Sequence, residues 1–420
     1  MRSSDSSALN GWSVLPVDNS STVLSFDTSG CTGCAACAQV CPREAITFES
    51  SYEGFLYPHV NQDLCISCGK CQKVCAANPK IVSGANEITE GYIALSSSYS
   101  MESRSSSGGI ADALTRYVLS LGGWVVAGCV MEEDGRVCHR LVEDMADAWI
   151  LQGSKYVQSD VTSGLLNECQ VALQSGKKLL FFGTPCQIYG MRSALTAYGD
   201  NIIGVDLICH GVPSPLFWEK AFGELVNEGF VNNGKDLLFR HRSAWERDDF
   251  SFLNYKRKNK RNNERNAYYS TFLDSSSFRE SCYSCKFANA MRPGDLTIGD
   301  CATLSNYMEF APVESASSIL VNSVKGGNLL QDALEKGALL VAPFDYEAEI
   351  RANAQLHRPS RRPIQRDRIY FDLLEMPYEQ FEKKYQTGLS LKKKVKGLVK
   401  RFIPLSMRTR IRLLLQRRTK

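Results

Sequence analysis

Short apolar runs separated by amphipathic stretches predict a region of alternating strands and helices in the middle of the chain. Strands are predicted at Tyr92–Leu95, Trp124–Ala127, Lys178–Phe182 and Ile202–Ile208. A helix is predicted over Gly109–Ser120, where the apolar residues Ile110, Ala113, Leu114, Tyr117 and Val118 recur on one face. Ser214 and Pro215 predict another helix start, because serine caps helices and proline suits their first position.

The downstream half is predicted to be richer in strands. These lie at Leu237–Phe239, Phe250–Lys256, Tyr268–Phe272, Leu296–Ile298, Ile319–Val321 and Leu339–Val341, with a helix near Asn328–Lys336. The basic run Lys256–Arg265 is predicted to be a solvated hairpin loop, and no nucleic-acid partner is expected because no nucleic-acid-binding module accompanies it. The fold class is therefore α+β with mixed sheets.

Eight cysteines near the N-terminus repeat the spacing C-x2-C-x2-C-x3-C, which binds [4Fe–4S] clusters in two-cluster bacterial ferredoxins. The fourth cysteine of each copy then serves the other cluster. The expected ligands are Cys31, Cys34, Cys37 and Cys75 for one cluster, and Cys65, Cys68, Cys71 and Cys41 for the other. Zinc and disulfides are the alternatives, but the triplets are too compact for one tetrahedral zinc. The spacing predicts single-electron transfer.

Charge is distributed unevenly along the 420 residues, whose formal net charge is +4. Residues 391–420 contain twelve Lys or Arg and no acid, mixed with apolar residues at helical spacing. This tail is predicted to be a basic amphipathic helix that contacts an anionic membrane surface peripherally, remains solvated or docks on the acidic body of the protein. Residues 1–22 are polar and predicted to be disordered. The absence of a sustained apolar run before Cys31 predicts a cytoplasmic setting, with peripheral contact at the inner face of the membrane as a further option.

Two further groups of residues carry candidate chemistry. The loop Ser105–Gly109 precedes a predicted helix and is either a phosphate cradle or a simple helix cap. Four dispersed cysteines sit at predicted element ends or in turns: Cys186, Cys209, Cys282 and Cys285. They either converge on a third [4Fe–4S] cluster or are buried thiols that behave as small apolar side chains. His210 and Asp300 are candidate proton donors, with a structural role as the alternative for each.

Six segments occur in the order typical of a known family: Ser106–Gly109, Gly153–Ser159, Gly183–Gln187, Cys209–Gly211, Cys282–Cys285 and Gly294–Asp300. The chain resembles the coenzyme F420 hydrogenase/dehydrogenase beta-subunit family, preceded by a ferredoxin domain. The resemblance implies an FAD site at Ser106, Ser107, Gly108 and Gly109, with Lys155, Tyr156, Gln158 and Thr184 as flavin neighbours. It also implies the third cluster. Cys301 departs from the family pattern and is an alternative ligand.

The expected organisation follows from these segments. A ferredoxin module spans 23–80, regions similar to the N-terminal and C-terminal parts of the beta-subunit family span 88–235 and 236–375, and the tail spans 390–420. The expected function is an iron–sulfur flavoprotein oxidoreductase that passes electrons between clusters and an FAD acting on a small-molecule or deazaflavin-type substrate. The alternatives are an adaptor without its own substrate and a redox sensor. A redox partner protein or ferredoxin is the expected partner.

Overall fold

The computed structural model describes residues 22–80, 86–98, 104–240, 251–261, 266–307 and 316–387. The polar segment before Thr22 and the basic tail at 391–420 lie outside the described residues. Residues 262–265, which end the basic run, also lie outside them. No helix among the described residues is long and apolar enough to cross a membrane.

The described chain forms fifteen strands and eleven α-helices, joined by turns and short 3₁₀ segments. The strands are β1 (Ile46–Ser50), β2 (Leu56–Val60), β3 (Asn86–Glu87), β4 (Glu90–Ser96), β5 (Trp124–Met131), β6 (Val137–Val142), β7 (Lys178–Gly183), β8 (Ile202–Leu207), β9 (Leu237–Leu238), β10 (Phe252–Asn254), β11 (Asn259–Arg261), β12 (Met291–Arg292), β13 (Leu296–Asp300), β14 (Ser317–Val321) and β15 (Leu339–Pro343). The helices are α1 (Ala36–Gln39), α2 (Lys70–Val74), α3 (Ile110–Ser120), α4 (Leu165–Gln174), α5 (Pro185–Ala194), α6 (Pro215–Asn227), α7 (Ala267–Leu273), α8 (Val324–Glu335), α9 (Tyr346–Ala352), α10 (Arg366–Glu375) and α11 (Tyr378–Tyr385).

The N-terminal module is built from two similar halves. An antiparallel hairpin of β1 and β2 packs beside α1 and α2, the two short helices that contain the last cysteine of each triplet. Each helix is preceded by a left-handed residue, Ala35 with φ 61° and Gly69 with φ 68°. These left-handed residues turn the chain sharply at the point where the cysteines must converge.

The large sheet of the body has eight strands in the order β15-β4-β14-β13-β8-β7-β5-β6. Strands β13, β8, β7 and β5 are parallel neighbours, and β4 has the same direction because it pairs antiparallel to β14, which pairs antiparallel to β13. Five carboxyl ends therefore meet at one edge of the sheet, where open α/β sheets place ligands. Strands from both sides of residue 235 contribute to this sheet.

A second, aromatic core lies at the β5–β6 turn of the sheet, where Met131 and Val137 join it, and it corrects one sequence prediction. Residues Tyr268–Phe272 were predicted to form a strand, but they lie in helix α7, which Asn266 caps by accepting a hydrogen bond from the amide of Tyr269. Helix α7 packs with α6, α10 and α11 around Phe217 and Trp218. The run has strand-like composition because its residues are buried on nearly all sides, and burial does not distinguish helix from strand.

The N-terminal module is fixed to the body by a buried ion pair. Arg366 of α10 donates to both carboxylate oxygens of Glu53, at 2.7 and 2.6 Å, and Glu53 lies in the turn between β1 and β2. The next residue, Gly54, has φ +83°, and a Cβ there would lie 2.1 Å from the Cβ of Leu216. The hairpin turn therefore sits in close contact with the start of α6 and has a defined position.

Candidate metal centre

The first cysteine group encloses a cavity. Cys31, Cys34, Cys37 and Cys75 line a space of about 450 Å³, partly open to solvent. The triplet comes from the loop that enters α1, and Cys75 ends α2, so the fourth sulfur comes from the other half of the module. This is the crossed grouping that the doubled spacing predicts.

The second group mirrors the first. Cys65, Cys68 and Cys71 line a cavity of about 350 Å³ together with Cys41, which follows α1. Cys68 is exposed, whereas Cys71 is buried. The structure thus gathers all eight predicted cysteines into two sets of four.

The chemistry of these donors suits clusters better than single ions. Burial, reinforced by the charges of nearby cysteine sulfurs, raises the pKa of Cys37 well above its ordinary value, and burial raises the pKa of Cys75 to about 12. Such thiols ionise when metal charge compensates for the lost hydration. Among the described residues no three Cys, His, Asp or Glu side chains are close enough to share one ion. A cubane spaces its thiolates more widely, because each binds a different iron.

The four dispersed cysteines also come together, at the carboxyl edge of the sheet. Cys186 lies in the first turn of α5, Cys209 follows β8, and Cys282 and Cys285 lie in consecutive turns. Burial raises the pKa of Cys186 well above its ordinary value, and the charges of the other three cysteines raise it further. The amide of Arg279 donates to the carbonyl of Val212 at 2.9 Å, which joins the segment after Cys209 to the Cys282 turn.

A buried cation lies beside this third set. Arg292 is 1% exposed and donates to Oδ1 of Asp206, which is fully buried, at 2.6 Å. Its charge opposes the effect of burial on the pKa values of Cys209 and Cys285. The charge of Asp206 opposes this effect at Cys209, so the ion pair favours a thiolate mainly at Cys285. The donor set and its surroundings therefore fit a [4Fe–4S] cluster.

Helix α5 connects the third set to the first. A Cβ on Gly190 would lie 2.7 Å from the Cβ of Cys34 and 2.8 Å from its sulfur, so this helix face packs directly on the first cysteine loop. Cys186 and Gly190 are four residues apart, which is about one helical turn or roughly 6 Å of rise. Only a glycine permits this approach of the two cysteine sets.

Arg279 makes further contacts between the first cysteine loop and the body. It is 1% exposed, and its guanidinium donates to the carbonyls of Cys31 and Leu56 at 2.7 and 2.9 Å and to Oε1 of Gln158 at 3.0 Å. Gln158 in turn donates to the carbonyl of Thr32 at 3.1 Å. Gln158 therefore lies against the ferredoxin loop, whereas the resemblance implies that it is a neighbour of the flavin.

The Ser106–Gly109 loop is fixed by contacts within the protein. Ser106 Oγ accepts from the amide of Ser154 at 2.9 Å, Ser107 Oγ donates to the carbonyl of Ala316 at 3.0 Å, and the Gly108 amide donates to Ser317 Oγ at 2.9 Å. Gly109 is left-handed, with φ +79°, and begins α3. A phosphate at this loop would therefore bind main-chain amides of the first turn of α3 rather than serine hydroxyls.

Two of the other predicted flavin neighbours also have defined partners. Lys155 Nζ donates to the carbonyls of Cys129 and Gln152 at 2.8 Å each and lies 3.3 Å from those of Ile150 and Leu151, and burial lowers its pKa to about 8. Thr184 caps α5, and its hydroxyl lies 3.0 Å from Gln187 Oε1 and 3.2 Å from the sulfur of Cys186. Thr184 thus contacts the third cysteine set directly.

A polar chain runs from the Ser106 loop to the cysteines. Tyr156 shares hydrogen bonds with Ser154 and Arg240, and Arg240 pairs with Asp300 at the end of β13. Arg240 is 5% exposed and Asp300 is 49% exposed, so the pair opens to solvent at the carboxyl edge. His210 follows Cys209, and desolvation lowers its pKa while the charge of Asp300 partly offsets that lowering. These contacts link the Ser106 loop to the end of β13.

Cys301 belongs to different surroundings. It is buried with Ile93 and Leu95, and its sulfur lies 4.0 Å from Oε2 of the buried Glu349. The carboxylate also accepts from the amides of Ala302 and Thr303 at 2.9 Å. The structure therefore favours the four-cysteine set without Cys301.

Sequence reasoning missed the buried arginines that organise these sites. Arg279, Arg292 and Arg366 are among the largest fully buried side chains of the described residues. Arg279 stands only three residues before Cys282, which was the one available signal. Its contact with Cys31 and that of Arg366 with Glu53 join residues far apart in sequence, which no local pattern reveals.

The fold and the cysteine sets define an iron–sulfur protein. Residues 30–78 match the family model of the 4Fe-4S dicluster domain, and residues 176–347 match the model for the C terminus of the beta subunit of coenzyme F420 hydrogenase/dehydrogenase. The resemblance seen in the sequence is confirmed: one segment matches a dicluster domain and another matches the C terminus of this beta subunit, and the chain is an iron–sulfur electron-transfer protein.

Other comparisons add little to this assignment. No curated protein is significantly similar in sequence. The F420-reducing [NiFe] hydrogenase complex from Methanosarcina barkeri contains a chain that is 16% identical with a TM-score of 0.44, covering 71% of this chain and 91% of that chain.

Proposed function

We propose that this protein is an iron–sulfur flavoprotein oxidoreductase. Two [4Fe–4S] clusters in the N-terminal module and a third at Cys186, Cys209, Cys282 and Cys285 pass single electrons to or from an FAD at the carboxyl edge of the sheet. A flavin supplies the conversion between one-electron and two-electron chemistry. The substrate is a small molecule or a deazaflavin of the kind named in the matching family.

The proposal rests on the observation that the three cysteine sets lie next to one another and next to the polar residues at the carboxyl edge of the sheet. Gly190 packs on Cys34 one turn from Cys186, and the chain Ser154–Tyr156–Arg240–Asp300 leads from the Ser106 loop to the neighbourhood of Cys209. The amides that begin α3 suit a pyrophosphate, and the buried cation of Arg240 suits an anionic part of the flavin or substrate. Asp300 and Tyr156 would hold that cation in place.

Metal and flavin analysis of protein purified without oxygen tests the proposal. Two four-iron clusters give about eight irons per chain and three give about twelve, with releasable FAD. Cys282→Ser should lower the iron content by about four per chain. Cys301→Ser is the matched control, because Cys301 lies in a different hydrophobic cluster, and it should leave the iron content unchanged. Equal iron contents in both variants would contradict the third cluster, and zinc in the wild type would contradict all three.

The second candidate is an electron-transfer adaptor with no substrate of its own. The hydroxyls of Ser106 and Ser107 and the side chains of Lys155 and Gln158 all bind other parts of the protein. Fewer side chains are then left to bind a flavin, which favours the adaptor. An adaptor would contain iron but no FAD after reconstitution, and it would copurify with a second protein. Oxidation of a small molecule by the isolated chain would contradict it.

A further inference from the structure

The two cysteine sets of the N-terminal module differ in what surrounds them. The inner set, Cys31, Cys34, Cys37 and Cys75, packs against the body on one side and is partly open to solvent: Gly190 packs on Cys34, and Arg279 binds the carbonyl of Cys31. An electron held there is next to α5 and the third set. The inner set is therefore placed as a relay into the body.

The outer set, Cys41, Cys65, Cys68 and Cys71, faces solvent. Cys68 is exposed, and the adjacent Ile66 is 59% exposed although it is a large apolar residue. Leu64 is 41% exposed on the same loop. Two exposed aliphatic side chains beside the same cysteine loop form a small apolar surface, and such patches commonly mark interaction sites.

The two cavities also differ in the charge of the residues that line them. Arg43 and Lys70 line the outer cavity, and no carboxylate does so among the described residues. Asp27 lines the inner cavity, with no lysine or arginine among its described lining residues. Arg43 and Lys70 are both exposed, and Lys73 adds a third exposed cation on α2. Asp63 and Glu44 are nearby in sequence but do not line the outer cavity.

We propose that the outer set is the docking port for a small acidic protein that carries single electrons. This inference rests on the proposed clusters of the N-terminal module. Redox partners typically meet through small interfaces, and complementary charge at the rim accelerates their encounter. Ile66 and Leu64 provide the apolar centre of the port, and Arg43 and Lys70 provide its cationic rim. One electron moves between the reduced centre of one protein and the oxidised centre of the other, without bond making or proton transfer.

The experiment measures binding and electron exchange separately. Anaerobic cluster-loaded protein is titrated with a small acidic [2Fe–2S] ferredoxin, and the dissociation constant is followed over a series of salt concentrations. Single-electron exchange is then measured by stopped-flow absorbance. Basic cytochrome c serves as the probe of opposite charge. The port predicts that the ferredoxin binds more weakly as salt rises, and that cytochrome c does not bind this surface.

Two substitutions test the port against matched controls. Lys70→Glu should weaken ferredoxin binding about tenfold and flatten its salt dependence, because the rim charge is reversed. Lys336→Glu reverses an equally exposed charge at the end of α8 and should change neither. Ile66→Ser should weaken binding, whereas Ile364→Ser, at a residue 96% exposed, should not.

The outcomes distinguish the port from the proposed function. If chemically reduced protein lacks [4Fe–4S] spectra, the proposed function itself fails. If the clusters are present but Lys70→Glu and Lys336→Glu bind ferredoxin equally, the port is wrong and the function stands. Equal effects of Ile66→Ser and Ile364→Ser would overturn the apolar centre of the port.

Discussion

The guanidinium of Arg279 donates through Nε to the main-chain carbonyl of Cys31, with 2.7 Å between the two atoms. The contact joins the first cysteine loop to the segment that carries Cys282, three residues further along the chain. Arg279 also lies over the ring of Tyr57, at 4.1 Å from its centroid. One buried side chain thus sets the position of the N-terminal module relative to the third cysteine set.

Arg279→Lys should destabilise the protein by about 2–4 kcal/mol, because a lysine keeps the charge but cannot reach three acceptors with a planar fork. The free energy of unfolding of the cluster-loaded protein in urea measures this. Arg136→Lys is the control, since Arg136 is 75% exposed and pairs only with Asp134 at the surface. Equal unfolding midpoints for the two variants would contradict the role of Arg279.

Gly190→Ala should disturb the first cluster, because the added Cβ would lie 2.8 Å from the sulfur of Cys34. We expect a lower iron content and a lower unfolding temperature. Gly223→Ala in α6 is the matched control, because its Cβ meets nothing within 4 Å. That variant should be stabilised by about 0.5–1 kcal/mol, the usual gain from alanine in a helix interior. A Gly190→Ala variant with full iron content would show that the helix can move away.

Thr184→Val should make the reduction potential of the third cluster more negative. The hydroxyl lies 3.2 Å from the sulfur of Cys186, and when that sulfur is a thiolate ligand the single hydroxyl proton can point to it instead of to Gln187 Oε1. Hydrogen bonds to cluster sulfurs stabilise the more negative, reduced state. The shift should be on the order of tens of millivolts, since about 59 mV corresponds to a tenfold change for one electron. Potentiometric titration followed by electron paramagnetic resonance measures it. Thr184→Ser keeps the hydroxyl and should retain most of the wild-type potential.

His139 should make the protein less stable in acid. Its ring lies between Ser159 Oγ, at 2.7 Å from Nδ1, and the carbonyl of Phe182, at 2.9 Å from Nε2, and burial lowers its pKa from 6.5 to about 4. Between those pH values the unfolded chain binds a proton that the folded chain does not. The stabilisation is therefore complete above pH 6.5 and is lost as the pH falls towards 4, by roughly 3 kcal/mol in total.

Urea unfolding at about pH 7.5 and about pH 5, on either side of the ordinary histidine pKa, measures this dependence. His139→Gln removes the titrating group and keeps a side-chain amide in the same place, so the difference between the two pH values should shrink. A variant with the same pH dependence as the wild type would assign acid sensitivity to other groups.

The sequence predicted local features well where the pattern itself reflects burial. Strand β7 and helix α3 are found where apolar periodicity placed them, and Ser214 caps α6 by accepting from the amide of Phe217. Helix α7 was wrongly predicted as a strand, and its cap at Asn266 was found only in the structure. The predicted flavin contacts of Lys155 and Gln158 came from a resemblance, which specifies residues but not their hydrogen-bond partners. The grouping of distant cysteines needed the fold, because strand order decides which carboxyl ends meet.

The buried ion pair between Arg366 and Glu53 affects how the iron and sulfide of the clusters are loaded. It holds the hairpin turn on the body while α5 packs on the first cysteine loop, which narrows the access of iron and sulfide to the partly open first set more than to the set with the exposed Cys68. We expect reconstitution of the folded apoprotein to fill the set with Cys68 first and the first set more slowly. The test follows iron uptake over time in the wild type and in Glu53→Gln, in which the ion pair is weakened. We expect two phases of uptake in the wild type and a single phase in the variant. Maturation of the chain would then depend on when the module closes during folding.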